Sequence, residues 1–241
     1  MNPKMILFDY GGTLACDPIY NMTEGNGAIF PYITENPHNI TREQFSDYIK
    51  ELFDEIRALR GEFIEIHEHI FLRYVLEHFD IRLSISIEEA EWIICTSLAK
   101  NVQTPDADIM LKTLREKGIR TGIVSNLVWS GAALERVMSE LFPEHKFDFI
   151  MTSSEYIFRK PDTHIFDMAV HKSGLKPEEI WYCGNVIDID IIGAKNAGLF
   201  PVFYDNQDIP DKFRKFNDIS RIDFPCHHIG GWGELIKLLE K

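Results

Sequence analysis

Four consecutive apolar residues, Met5 to Phe8, run into a single carboxylate, Asp9, and then into Tyr10, Gly11, Gly12 and Thr13. A short apolar run closed by glycine is the pattern of a strand buried on both faces, as in the middle of a parallel sheet. An acid at the carboxyl end of such a strand stands where open α/β sheets hold their ligands. The glycines free the backbone to curl, so that the N–H groups of Gly11 and Gly12 can converge on an anion. Taken alone, the loop reads equally well as a surface turn after the first strand. The rest of the chain has to decide.

From Thr104-Pro105 onward, helical and strand patterns alternate. Helices are expected over 106–117 (closed by Gly118), 130–141, from Asp162 or Thr163 to Lys172, and 189–197 (closed by Gly198). Strands are expected over Arg120 to Val124, Phe147 to Met151, Ile180 to Cys183 and Phe200 to Phe203, with a last helix from Gly230 to Lys241. Strands separated by single helices predict an α/β fold with a doubly wound parallel sheet.

Between the first strand and this series lies a stretch of different character. Residues after Ala15 are rich in turn signals (Asp17-Pro18, Gly25-Asn26-Gly27, Asn36-Pro37). Thr41 with Gln44 then makes a capping-box start, and Phe45, Tyr48, Ile49, Leu52, Phe53 and Ile56 recur at helical spacing. A second helical run follows Gly61, and a third begins near Ser86 with Glu88 and Glu89 in its first turn. The expected organisation is an α/β core from residues 1–15 and 101–241, with residues 16–100 inserted as a small helical domain.

Composition narrows the function classes. The net charge of -13 repels phosphate backbones and no basic cluster offsets it, so nucleic acid is not an expected partner. No apolar run approaches the roughly 18 residues of a membrane span and the N-terminus has no basic-then-apolar leader, so a cytoplasmic protein without membrane contact is expected. The four cysteines are widely spaced and form no C-x-x-C pair, against a zinc ribbon or redox motif. Cys183 reads as core filling. His67-Glu68-His69 invites a metal reading, but histidines two apart on a helix diverge, so a solvated helix face is expected there. His227-His228 lies in a stretch read as irregular. No Gly-x-Gly-x-x-Gly pattern supports a dinucleotide site, and Glu88-Glu89 and Glu178-Glu179 read as helix starts.

Four polar clusters fall at the carboxyl ends of expected strands or beside them: Asp9, Ser125-Asn126, Lys160, and Gly184-Asn185 with Asp188 and Asp190. A polar residue after a strand is ordinarily a turn residue or a cap. Four together, on one edge of a parallel sheet, supply a carboxylate, a hydroxyl, an ammonium and a second acid to one crevice. That set suits phosphoryl transfer. A carboxylate attacks phosphorus in line, while backbone amides, a hydroxyl and an ammonium steady the charge on the three phosphoryl oxygens. A cation is expected between carboxylate and phosphate, and Mg²⁺ suits an all-oxygen site completed by water.

In order and spacing these clusters resemble the haloacid dehalogenase-like (HAD) hydrolase superfamily over nearly the whole chain. FDYGGTL is similar to its first motif, IVSN to the second, RKPD to the third and YCGNVIDIDIIGAKNAG to the fourth. The resemblance implies Asp9 as nucleophile and Ser125 and Lys160 as catalytic groups. It implies a phosphate site that includes Gly11, Gly12, Ser125, Asn126 and Lys160. Mg²⁺ would then rest on Asp9, the Gly11 carbonyl, Asn185 and Asp190, and residues 16–100 would be a mobile cap that selects a small phosphorylated metabolite.

Two departures qualify it. The family's phosphatases carry an acid/base aspartate two residues after the nucleophile, and this chain has Gly11 there. General acid–base catalysis is worth about 10²–10⁴-fold, so slow turnover or a substitute such as Asp17 is implied. The fourth motif's first acid is Asn185, which offers an oxygen without charge. Asp188 is the nearest spare carboxylate, although the family frame favours Asp190. The rival readings are a catalytically impaired binding or regulatory protein and, less favoured, a 2-haloacid dehalogenase. Substrate identity and oligomeric state stay open.

Overall fold

The computed structural model describes residues 2–17, 21–213 and 217–240; the Pro18 half of the Asp17-Pro18 turn and Lys241 lie outside them. Six strands form one parallel sheet: β1 (Met5–Phe8), β2 (Arg120–Ser125), β3 (Ile150–Thr152), β4 (Ile180–Gly184), β5 (Phe200–Tyr204) and β6 (His227–Ile229). Their order across the sheet is β6-β5-β4-β1-β2-β3. Strand β1 therefore sits in the middle and pairs with β4 on one side and β2 on the other. The strand order reverses at β1, and its carboxyl end is the switch point at which such sheets bind ligands.

Burial of β1 on both faces explains its unbroken apolar run. Ile6 and Phe8 join one core layer with Leu111, Leu114, Leu134, Val137, Trp232 and Leu235. These residues come from helices over Ala107–Glu116, Gly131–Leu141 and Trp232–Leu238. Met5 and Leu7 face the other layer, with Val124, Tyr182, Ile165, Phe166 and Ala194, covered by the helix Thr163–Ser173. Side chains alternate across the sheet with period two, so both layers draw on the same four residues.

The expected elements stand within a few residues, with four corrections. Strand β3 starts at Ile150 rather than Phe147. Strand β6 takes in His227-His228, read as irregular from sequence: Trp181 and Phe200 pack on the His227 ring and Phe203 on the His228 ring, which holds these polar residues at the sheet edge. Gly25-Asn26-Gly27 closes a short helix (Met22–Gly27) capped by Asn21 instead of forming a turn. The helical run after Gly61 begins only at Glu68, because residues 63–65 extend along the core, where Glu65 N–H donates to Ile157 O at 2.7 Å and Arg159 N–H to Phe63 O at 2.8 Å.

Between β1 and β2 lie the helices Arg42–Arg60, Glu68–His78 and Ile87–Leu98. Thr41 and Gln44 complete the capping box, and Ser86 caps the last helix by accepting from Glu89 N–H. Phe45, Ile49, Phe71, Leu72, Val75, Ala90 and Ile94 pack into a core of their own. The chain leaves and re-enters the sheet through Ala15–Cys16 and Val102–Gln103, which pair antiparallel as a narrow ribbon. Thr104 Oγ1 pins this neck by donating to Thr13 O at 2.7 Å. No helix among the described residues is long and apolar enough to cross a membrane.

Candidate active site

The carboxyl ends of β1, β2 and β4 bring together residues separated by up to 181 positions in sequence (Asp9 to Asp190). Asp9 follows β1 directly and its N–H donates to Cys183 O at 2.9 Å, which continues the ladder and fixes its direction. Asp9 Oδ1 accepts two bonds, from Ser125 Oγ at 2.9 Å and from Lys160 Nζ at 2.7 Å. Asp9 Oδ2 takes no hydrogen bond from any described residue, so that oxygen keeps its lone pairs available.

Lys160 is 2% exposed, which for an ammonium demands full satisfaction. Its three N–H groups go to Asp9 Oδ1, Asp190 Oδ1 at 2.6 Å and Tyr182 Oη at 2.6 Å. Burial alone would push its pKa down; the carboxylates of Asp190 and Asp9 overcome this and hold it above the usual lysine value. Burial lifts the Asp190 carboxyl to about 6, against the Lys160 ammonium that draws it down and with the Asp9 charge reinforcing the rise. Tyr182 Oη passes the chain on, donating to Val124 O at 2.8 Å. Tyr182 escaped the sequence reading, because a tyrosine inside IWYCG looks like strand filling.

Asp190 reaches the cluster through a single π-helical turn, Ile187–Ile191. Such a turn holds one residue more than an α-turn and is frequent at functional sites. Its Oδ2 accepts from Val186 N–H at 3.0 Å. The carboxylate lies flat on Gly184, where a Cβ would stand 2.4 Å from Asp190 Cγ, so only glycine fits. Asp188, two residues earlier, points away and pairs with Arg221. Of the two acids, Asp190 is the one that joins the Asp9–Lys160 cluster.

At two of the expected phosphate contacts a polar group is engaged within the protein. Asn126 clasps the Lys160 backbone, accepting from Lys160 N–H at 2.8 Å and donating to Lys160 O at 2.8 Å, so it positions the lysine. Gly12 has φ of +80° and donates its N–H to Ala15 O at 2.7 Å, so its amide closes the loop instead of facing an anion. Asn185 is held by Thr13 Oγ1, which donates to its Oδ1 at 3.1 Å, and its own Nδ2 donates to Phe213 O at 2.8 Å.

Oxygen donors dominate the crevice: Asp9 and Asp190 meet at Lys160, and Asn185 and Gly11 are on the loops that follow β4 and β1. Two carboxylates against one ammonium leave a net negative charge beside the unengaged Asp9 Oδ2. This donor set fits a hard divalent cation with few protein ligands, and Asn185 contributes no charge to it. Beside the loop opens a cavity of about 390 Å³ lined by Tyr10, Gly11, Asp17, Trp129, Lys212 and Phe213 among others. Asp17, the expected substitute acid, is in this lining. Its Oδ1 accepts from Lys100 N–H at 3.1 Å and its Oδ2 lies 3.6 Å from Lys212 Nζ.

A parallel sheet with a carboxylate, a hydroxyl and a lysine gathered at its switch point is a Rossmann-like α/β core with its polar groups at the ligand-binding edge. The chain belongs to the haloacid dehalogenase-like hydrolases, whose family model matches residues 6–203. It is 34% identical over 105 residues to a glyceraldehyde 3-phosphate phosphatase of Methanothermobacter thermautotrophicus, covering 43% of this chain and 45% of that protein. It therefore spans under half the length of that relative. A ribulose-1,5-bisphosphate 5-phosphatase of Halopiger xanaduensis is 25% identical over 241 residues, 97% of this chain and 98% of that one. Among solved structures, a HAD phosphatase from Thermococcus onnurineus superposes over 99% of this chain and 98% of its own with a TM-score of 0.61 at 19% identity. That likeness concerns the fold.

Proposed function

We propose that the protein is a Mg²⁺-dependent phosphohydrolase acting on a small phosphorylated metabolite through an aspartyl-phosphate. The observation that carries this reading is the division of labour at Asp9: one oxygen is held by Ser125 and Lys160, and the other is left with its lone pairs. Asp9 Oδ2 attacks phosphorus as the ester P–O bond breaks, and the departing oxygen takes its electron pair and then a proton. Water then attacks the aspartyl-phosphate, freeing inorganic phosphate and restoring the carboxylate. Lys160 holds Asp9 in orientation through its 2.7 Å bond to Oδ1, and its charge, more than a spare N–H, acts on the phosphoryl oxygens. Mg²⁺ would be held by Asp9, Asp190, Asn185 and the Gly11 carbonyl, and when bound it offsets the repulsion between carboxylate and phosphate.

Residues 16–100 act in this reading as the cap over the crevice. A second cavity of about 330 Å³ between helices and core carries Arg57, Arg60 and Arg159. Glu65 pairs with two of them, Arg60 at 3.1 Å and Arg159. Guanidinium groups there suit a substrate with a second anionic group, in keeping with relatives named for phosphorylated sugars. The test is phosphate release from an aryl phosphate with and without Mg²⁺, comparing wild type with Asp9→Asn. Equal rates would remove Asp9 from the reaction.

The missing carboxylate at Gly11, with Asn185 tied to Thr13 and Phe213, favours one second reading: a family member that binds a phosphorylated ligand and does not turn it over. It predicts thermal stabilisation by phosphate esters with no phosphate released.

A further inference from the structure

The sequence places His67 and His69 on a helix, where residues two apart diverge. In the structure His67 is outside the helix: it is the N-cap of Glu68–His78, with extended backbone (φ -71°, ψ 136°). That single change of conformation turns the two rings toward each other, with centroids 4.5 Å apart. Glu91, from the helix Ile87–Leu98, reaches the same point, and its Oε2 lies 2.8 Å from His69 Nε2. One ring nitrogen of each histidine and one Glu91 oxygen lie within 4.8 Å of one another.

We propose that His67, His69 and Glu91 form a second metal site, for a borderline transition metal such as Zn²⁺, that clasps the helical segment to the core. Two imidazoles and a carboxylate are a familiar ligand set for Zn²⁺, with water in the remaining position. Ligands at Zn–N and Zn–O bond lengths of about 2.0–2.2 Å stand about 3.4 Å apart in a tetrahedron, so side-chain rotation of about 1 Å completes the set. His67 would exchange the His69 N–H that its Nδ1 now accepts, at 3.1 Å, for the metal. The metal would also replace the proton shared by His69 and Glu91.

Charge and the hydrogen bonds that hold Glu91 favour the same site. Glu91 and the adjoining Glu68 are 2% and 8% exposed, and His69 is the sole basic group paired with either among the described residues. A divalent cation balances that buried acid. Metal-bound carboxylates are held by outer hydrogen bonds, and Glu91 has them: Ser130 N–H donates to its Oε1 at 2.7 Å and Ser130 Oγ to its Oε2 at 2.7 Å. Ser130 starts the core helix Gly131–Leu141, and Glu68 N–H donates to Val128 O at 2.9 Å just before it. The site thus joins two helices of the inserted segment to the core.

The experiment titrates Co²⁺ into the whole protein in excess Mg²⁺ and follows its visible d–d absorption, with Zn²⁺ thermal shifts in parallel. Wild type and Asp9→Asn should both show intense low-coordinate cobalt bands that Zn²⁺ displaces. His69→Gln should weaken Co²⁺ binding by at least the upper end of the roughly 10–100-fold that an outer-shell loss costs, and should lose the Zn²⁺ shift. His67→Gln, whose ring only holds a local amide, repeats the test if His69→Gln folds poorly. Absence of cobalt bands in wild type, their survival in both histidine variants, or their loss in Asp9→Asn would overturn the proposal.

Discussion

Two clusters of buried acid in this molecule are neutralised in different ways. At the strand ends, Asp9 and Asp190 share the Lys160 ammonium, which is anchored from below by Tyr182. At the seam between the helices and the core, no lysine or arginine among the described residues pairs with Glu68 or Glu91. Among the described residues the basic group paired with this acid is His69, whose Nε2 lies 2.8 Å from Glu91 Oε2. A permanently charged partner fixes a carboxylate in one orientation through charge-assisted hydrogen bonds. An imidazole paired with a carboxylate can share that carboxylate with a metal instead. The first arrangement suits chemistry, and the second suits cation binding.

The sharpest way to break this contrast is Asp9→Asn. If the strand-end cluster alone carries the reaction, phosphate release should fall by on the order of 10⁴-fold or more, as when a nucleophile is removed elsewhere, while Zn²⁺ stabilisation persists. Lys160→Met comes next. It strips the ammonium from two buried carboxylates, and breaking such a network costs about 3–5 kcal/mol. Urea denaturation should show that loss, with activity abolished besides. A small stability change would mean that water or a counter-ion already compensates Asp9 and Asp190.

Gly11→Asp tests the deficiency directly. A Cβ at Gly11 would meet only Phe213 Cε1, at 3.9 Å, an ordinary contact, and its φ lies outside the positive range. An aspartate therefore fits without strain. Supplying the leaving-group acid should raise turnover by about 10²-fold, the lower end for general acid–base catalysis. The gain should be greater on alkyl than on aryl phosphates, because the poorer leaving group needs the proton more. Steady-state rates on the two esters measure it. An equal gain on both would point to metal binding instead.

At the seam, Ser130→Ala removes both an N-cap, where its Oγ accepts from Ala133 N–H at 3.1 Å, and one donor to buried Glu91. The expected cost is about 1–3 kcal/mol of stability, with kcat for phosphate release unchanged. A fall in kcat at constant fold would tie the seam to the reaction and erase the contrast.

The two regions were also unequally legible in the sequence. Asp9, Ser125, Lys160 and Asp190 each end or follow an element whose periodicity is plain, and a parallel sheet gathers such ends at one edge whatever the loops do. What the sequence could not carry was the direction of side chains within that edge. Asn126 turned to the Lys160 backbone and Tyr182 entered the site from inside a strand, because both depend on register across the sheet. The seam failed for a different reason. Histidine is a poor advertisement for an N-cap compared with Ser, Thr, Asp or Asn, so the sequence pattern reads as helix through His67, and helical spacing sets apart two rings that meet in the structure.

The smallest effect lies outside both regions and sets the background for pH studies of either. His145 is half-buried beside Thr121 Oγ1, at 2.8 Å, and its Nδ1 is buried without a partner. Burial, and then the Arg115 charge, depress its pKa below the ordinary histidine value of 6.5. The folded state therefore binds a proton less readily than the unfolded chain. Above pH 6.5 both states are neutral at this ring and it contributes no slope. As pH falls below 6.5 the unfolded chain takes up the proton first, so stability drops until the folded-state pKa is passed, with a limiting slope of about 1.4 kcal/mol per pH unit. His145→Asn should flatten the decline in denaturation midpoint between pH 6.5 and 5. The decline that remains in that variant includes His67, whose pKa burial also depresses, whereas Asp190 and Glu68, whose carboxyls burial raises, act in the opposite sense and gain stability as pH falls.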